Sequence, residues 1–117
     1  MEMKHLDWGL IPQEQLNDKL SRKFISGEKI TIAQLFLHKG CLVPEHSHAS
    51  EQICMVMSGS LRFSVEGRIQ LVKSQQMIQI PSDLRHSVEA LEDSMVYDIF
   101  SPIRQDWVEG DDSYLRK

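Results

Sequence analysis

Apolar residues in this chain recur at every second position over short runs, and glycine, proline, aspartate or serine separates one run from the next. Residues 30–38 show the pattern most fully: Ile30, Ile32, Gln34 and Phe36 alternate with Thr31, Ala33, Leu35 and Leu37. A period of two sends alternate side chains to opposite faces of a strand, and both faces here are apolar enough to be covered. Further strands are predicted at 22–26, joined to 30–38 by a tight turn at Gly27 and Glu28, and at 53–57, 61–65, 69–72, 77–80, 86–91 and 95–100. Short strands at this spacing imply an all-β antiparallel sandwich or barrel. Residues 13–20 stay open, because Leu16 and Leu20, four apart, fit either one helical turn or a strand. The first twelve residues gather Leu6, Trp8, Leu10 and Ile11 around Gly9, an extended arm whose apolar groups need a surface to pack against. Beyond Phe100 the chain turns at Ser101 and Pro102 and becomes acidic, with a helical turn predicted over 104–108. Trp107 and Tyr114 stand there as isolated anchors, and Glu109, Asp111 and Asp112 read as a solvated loop.

A chain of 117 residues is one domain. It divides into an arm and first strand (1–29), a barrel core (30–100) and a tail that packs on the barrel (101–117). The net charge of −4, with both signs mixed along the chain, argues against a nucleic-acid footprint or a polybasic membrane patch. No apolar run is long enough to span a bilayer and no leader pattern precedes the arm, so a soluble, cytoplasmic protein is expected. Cys41 and Cys54 form no C-x-x-C pair, which removes a disulfide framework and a cysteine zinc site from consideration. Cys54 reads as a small buried hydrophobe. Met55, Met57, Met77 and Met95, with Phe36 and Phe63, read as core filling.

The chemistry concentrates in residues 40–59, GCLVPEHSHASEQICMVMSG. His46 and His48 stand one residue apart, so on a strand both imidazoles face the same way, close enough to hold one metal ion. Gln52 opens the next apolar run as an oxygen donor, and His86 follows the turn at 81–85. Glu51 is a competing donor, but strand parity and the seven-residue step to Gly59 favour Gln52. Taken alone, the two histidines are more simply structural; the four donors together point to a divalent transition metal such as zinc, nickel, cobalt, iron or manganese. All four ligands are neutral, which leaves the ion's charge available to an anionic oxygen of a ligand. Val96, Asp98 and Phe100 share one face of the last core strand, and a carboxylate between two apolar side chains is costly without a partner.

These residues resemble the cupin superfamily of metal-binding jelly-roll barrels. Gly40, His46, His48, Gln52 and Gly59 fall on the positions of its first motif, with Gln52 where glutamate is usual. Pro81 and His86 match the second, with Asp83 in a glycine place that asparagine and aspartate tolerate. Gln75 and Ala90 replace that motif's outer Gly and Asn. The resemblance covers about residues 30–100 and implies a cupin jelly-roll β-barrel and, by the habit of similar cupins, a homodimer.

A narrower resemblance joins HSHASEQ with the tail YDIFSPIRQDW: both are similar to the KdgF-like pectin and alginate degradation cupins. Those enzymes open the ring of 4,5-unsaturated monouronates, giving 4-deoxy-5-keto uronates. Asp98, Phe100 and Arg104 match the spacing of their catalytic set. The resemblance implies that Asp98 is the general acid/base, that Phe100 walls the sugar ring, and that Arg104 clamps a substrate oxygen or holds Asp98 ionised. The implied partner is a small acidic sugar. Competing readings are a salt bridge between Asp98 and Arg104 that only closes the barrel mouth, another cupin enzyme such as a dioxygenase or sugar isomerase, and a non-catalytic cupin that binds a small ligand.

Overall fold

The computed structural model describes residues 2–117, and strands are its main regular element. They are β1 (Glu14–Asn17), β2 (Leu20–Ser26), β3 (Thr31–Leu37), β4 (Leu42–His46), β5 (Glu51–Ser58), β6 (Ser60–Val65), β7 (Arg68–Lys73), β8 (Met77–Ile80), β9 (His86–Ala90) and β10 (Ser94–Ser101). A short helix, α1 (Gln105–Val108), and 3-10 turns at Trp8–Leu10 and Ser113–Leu115 complete the chain. One antiparallel sheet runs β1-β2-β3-β10-β5-β8 and the other β4-β9-β6-β7. The all-β expectation holds, and the open stretch at 13–20 resolves as strand: β1 pairs with β2 around a two-residue turn, which buries both Leu16 and Leu20.

Period-two alternation places Ala33, Leu35 and Leu37 of β3, Cys54 and Val56 of β5, and Val96 and Phe100 of β10 on the inner face. Leu61 and Phe63 of β6 face them from the second sheet. The outer face of the larger sheet differs from expectation. Phe36 is 38% exposed and Met77 is 65% exposed, while Met55, Met57 and Met95 are only half-buried. These five lie on the solvent side of their strands and do not fill the core. Trp8 of the arm stacks on Tyr97 of that outer face, with ring centroids 6.0 Å apart. The arm therefore finds part of its packing surface on its own chain, while Leu6 and Leu10 stay exposed.

Gly59 shows how tightly the β5–β6 turn is specified. Its φ is +89°, and a Cβ there would collide with Ser94 Oγ and meet Asp93 O at 2.5 Å, so strain and crowding both exclude a side chain. Asp83 takes φ 67° in the turn before β9, the left-handed conformation expected of it, and Gln75 takes φ 72° before β8.

The two sheets meet edge to edge on one side, where β7 lies against β8 and β5. On the other side a seam between β1–β2 and β4 is closed by the C-terminal tail. Asn17 Nδ2 donates to Leu115 O at 3.0 Å and to Lys117 O at 3.2 Å, and the turn Ser113–Leu115 packs on β4. Asp112, expected in a solvated loop, is 2% exposed: it accepts from Arg22 Nη2 at 2.7 Å and from Arg116 Nε at 2.9 Å. Arg22 is itself 1% exposed and lies over the Trp107 ring at 4.4 Å. A buried guanidinium needs a carboxylate beside it, and the tail supplies one.

Candidate functional site

His46 ends β4, His86 opens β9, and the two are paired in register. His48 lies past the end of β4, in the loop before β5, so the shared face expected of a strand is produced instead by the bend of that loop. The three rings still converge: centroids are 4.3 Å apart for His46 and His86, 5.0 Å for His48 and His86, and 5.7 Å for His46 and His48. One ligand nitrogen from each lies within 4.8 Å of the others.

The hydrogen bonds fix which nitrogens converge. Nδ1 of His46 faces Pro44 O at 2.8 Å, Nδ1 of His48 faces Ser50 O at 2.8 Å, and Nδ1 of His86 faces Leu84 O at 2.9 Å. A carbonyl oxygen only accepts, so each Nδ1 carries the proton and each Nε2 presents a lone pair. Backbone carbonyls that hold imidazoles in this way are the usual outer partners of metal-ligating histidines. His86 Nε2 is buried with no hydrogen-bond partner among the described residues. His48 Nε2 lies 3.1 Å from Gln52 Oε1, so two lone pairs meet at a separation suited to two ligands of one cation lying beside them. Burial pushes the pKa of His46 and of His48 down to about 4 and lowers that of His86, so all three are neutral ligands at pH 7. The donor set fits a divalent transition metal. Gln52 is buried and turned inward, whereas Glu51 is exposed and bonds Gln79 on the outside.

Asp98 sits opposite Cys54 on the neighbouring strand and faces the same cavity. It is 8% exposed, and its Oδ1 has no hydrogen-bond partner among the described residues. Burial lifts its pKa from 3.8 to about 6, against the opposing pull of the Cys54 thiol, the Gln52 amide and the more distant Arg104 charge. Burial, and then Asp98 beside it, pushes the Cys54 thiol up, so Cys54 is an uncharged neighbour. Among the described residues, the compensating partner expected for Asp98 is missing from the ion pairs. Arg104 instead grips Asp106, with Nε to Oδ1 at 3.1 Å and Nη2 to Oδ2 at 2.8 Å. The reading of Asp98 and Arg104 as a structural salt bridge falls with that observation. The Arg104 guanidinium carbon lies 4.8 Å from the Phe100 ring centroid and 4.5 Å from that of Trp107, and Nη2 also donates to the Tyr114 hydroxyl at 2.7 Å.

His46, Gln52, His86, Asp98, Phe100 and Arg104 all line one cavity. Trp107, Tyr114 and Leu115 close it from the tail side, and the free volume inside is about 50 Å³. Sequence reasoning treated Trp107 and Tyr114 only as anchors. The signal available was slight: two aromatic residues in an otherwise polar tail, with no period to assign them a face.

The family model for the cupin domain matches residues 35–100, over half of the chain. The chain belongs to the cupin family. Among solved structures this cupin is similar to KdgF from Halomonas sp., with 25% identity and a TM-score of 0.77 over 82% of this chain and 90% of that one. It is also similar to an RmlC-like cupin from Shewanella frigidimarina, at 21% identity and TM-score 0.83 over 90% and 96% of the two chains. An oxalate decarboxylase variant of Bacillus subtilis matches at 18% identity and TM-score 0.76, over 83% of this cupin but 29% of that chain. No curated protein matches it in sequence. The last two likenesses bear on fold alone.

Proposed function

We propose that this cupin opens the ring of 4,5-unsaturated monouronates from pectin or alginate breakdown, giving linear 4-deoxy-5-keto uronates, with His46, His48, Gln52 and His86 holding a divalent transition metal. The observation that carries the reading is that Asp98, Phe100 and Arg104 line one cavity with His46 and His86 of the histidine cluster. The similarity to a KdgF supports it. The chemistry such an ion supplies is Lewis acidity toward a substrate oxygen, undiminished because every ligand is neutral.

The reaction is an isomerisation. The anomeric hydroxyl loses its proton as the bond between C1 and the ring oxygen breaks, C5 becomes a ketone, and C4 gains a proton as the double bond disappears. One group that accepts the first proton and delivers the second is sufficient. With a pKa of about 6, Asp98 is ionised at neutral pH yet close enough to titrate in both directions, which is the condition for acid/base work. Arg104, fixed by Asp106 and two aromatic rings, seats the uronate carboxylate. Phe100 offers the sugar a flat apolar face. The test is the ultraviolet absorbance of the conjugated double bond, which falls as the ring opens; metal-loaded protein is expected to accelerate that fall over the spontaneous rate.

We infer a cytoplasmic homodimer. No helix among the described residues is long and apolar enough to cross a membrane. The outer face of the larger sheet presents Ile32, Phe36, Met55, Met77, Tyr97 and Ile99 in half-buried or exposed positions, a surface suited to a second copy. Sedimentation at micromolar concentration is expected to show a dimer, and Phe36→Lys a monomer; a wild-type monomer would contradict the inference.

A further inference from the structure

Tyr114 occupies a place that the proposed substrate needs. Its ring lies 4.7 Å from that of His46, tilted by 34°, and covers one side of the histidine cluster. Its hydroxyl accepts from Arg104 Nη2 at 2.7 Å. The guanidinium has two usable edges. The Nε and Nη2 edge is taken by Asp106 in a paired grip, and on the other edge Nη1 makes no hydrogen bond within the described residues. A carboxylate seated in a fork needs Nη1 and the second proton of Nη2 together. Tyr114 holds that second proton.

The cavity volume points the same way. About 50 Å³ holds a few waters, whereas pockets that bind small molecules run to roughly 300–1,000 Å³. As it stands the cavity is smaller than a sugar acid, and Tyr114 and Leu115 of the tail form part of its wall. The tail is joined to the barrel by side chains, with Leu115 buried and Asp112 paired to Arg22, and not by strand pairing. Its backbone hydrogen bonds are local, from Asp111 N to Asp106 O, Leu115 N to Asp112 O and Arg116 N to Ser113 O, and it joins no sheet ladder. Side chains of Asn17, Arg22 and Arg116 hold it to the barrel, and Gly110, at φ +79° with open space around it, begins the segment. Segments held this way open with less free energy than the whole fold.

We propose that Tyr114 is a further residue of the substrate site: it caps the Arg104 fork and covers the cavity, and an acidic sugar is admitted when the turn Ser113–Leu115 swings away. This rests on the reading of Arg104 as the carboxylate seat, and it adds that the free protein holds the seat closed. Tyr114→Phe keeps the ring over His46 and frees Nη2, so a carboxylate gains a hydrogen bond to a charged donor without first displacing the hydroxyl.

Two measurements test it. In hydrogen exchange of the whole wild-type protein, the amides of Leu115 and Arg116 are expected to exchange at least about tenfold faster than those of β10, and faster again in Tyr114→Phe while β10 is unchanged. By calorimetry, D-galacturonate, which has no double bond to react, is expected to bind Tyr114→Phe roughly tenfold more tightly than wild type. Tail amides that exchange no faster than β10 overturn the door. An unchanged or weaker affinity in the variant, or no binding by either protein, overturns the cap. Exchange needs no substrate, so loss of the ring-opening activity itself is read separately from either result.

Discussion

Asp98→Asn is expected to abolish ring opening while leaving the barrel folded and, without metal, more stable at pH 7. The substitution keeps shape and removes the group that moves the proton, so the rate should fall by about 10²–10⁴. Its effect on stability has the opposite sign from most core changes. An acid whose folded pKa is raised from 3.8 to about 6 binds more protons in the native state than in the unfolded state, so the carboxylate opposes folding above pH 6 and the penalty fades as pH falls toward 3.8. The penalty is at most about 3 kcal/mol at neutral pH. Part of it returns as the cost of an unpaired amide. Melting curves of the metal-free proteins at pH 7 and pH 4 are expected to show a higher midpoint for the variant only at the higher pH. A variant that keeps more than about a tenth of the wild-type rate would remove Asp98 from the mechanism.

Loss of the metal should follow from a single imidazole. Wild type is expected to carry about one transition-metal ion per chain, and His48→Ala to carry almost none after the same purification. His38→Ala serves as the control, since His38 is exposed and lies outside the cluster. The thermal shift separates site from surface. Metal in thousandfold excess over its dissociation constant stabilises by about 4 kcal/mol, and that gain should disappear in His48→Ala but persist in His38→Ala. Equal metal content in the two variants would place the ion elsewhere.

The parts of this molecule legible in the sequence are those set by neighbours along the chain. Gly59 is required by a turn a few atoms across, Asp83 by a left-handed position, and His86 by the strand start that follows. Alternation marks most strands of both sheets, and which residues of β3 and β10 share a face, but it left β1 open between strand and helical turn. Alternation does not say which face is covered, which is why Phe36 and Met77 read as core and lie outside. Nor does it follow a chain past the end of a strand, as at His48. Pairings formed only on folding were the least accessible. Asp112 looked solvated because its buried partner Arg22 stands ninety positions away. Arg104 reads as a partner of Asp98 because the family resemblance sets both in one catalytic group, yet Asp106, two residues on, is within reach first. Tyr114 enters the site only because the tail folds back across the seam between β1 and β4, a consequence of topology that no local pattern records.

The reaction itself is tested most directly by the absorbance of unsaturated galacturonate in the presence of metal-loaded protein, metal-free protein and metal-free protein to which the metal has been returned. The loaded and restored samples are expected to remove the absorbance well above the spontaneous rate, with the 4-deoxy-5-keto product appearing in step, and the metal-free sample to match the blank. No acceleration by the loaded protein, or the same acceleration with and without metal, would contradict metal-dependent ring opening.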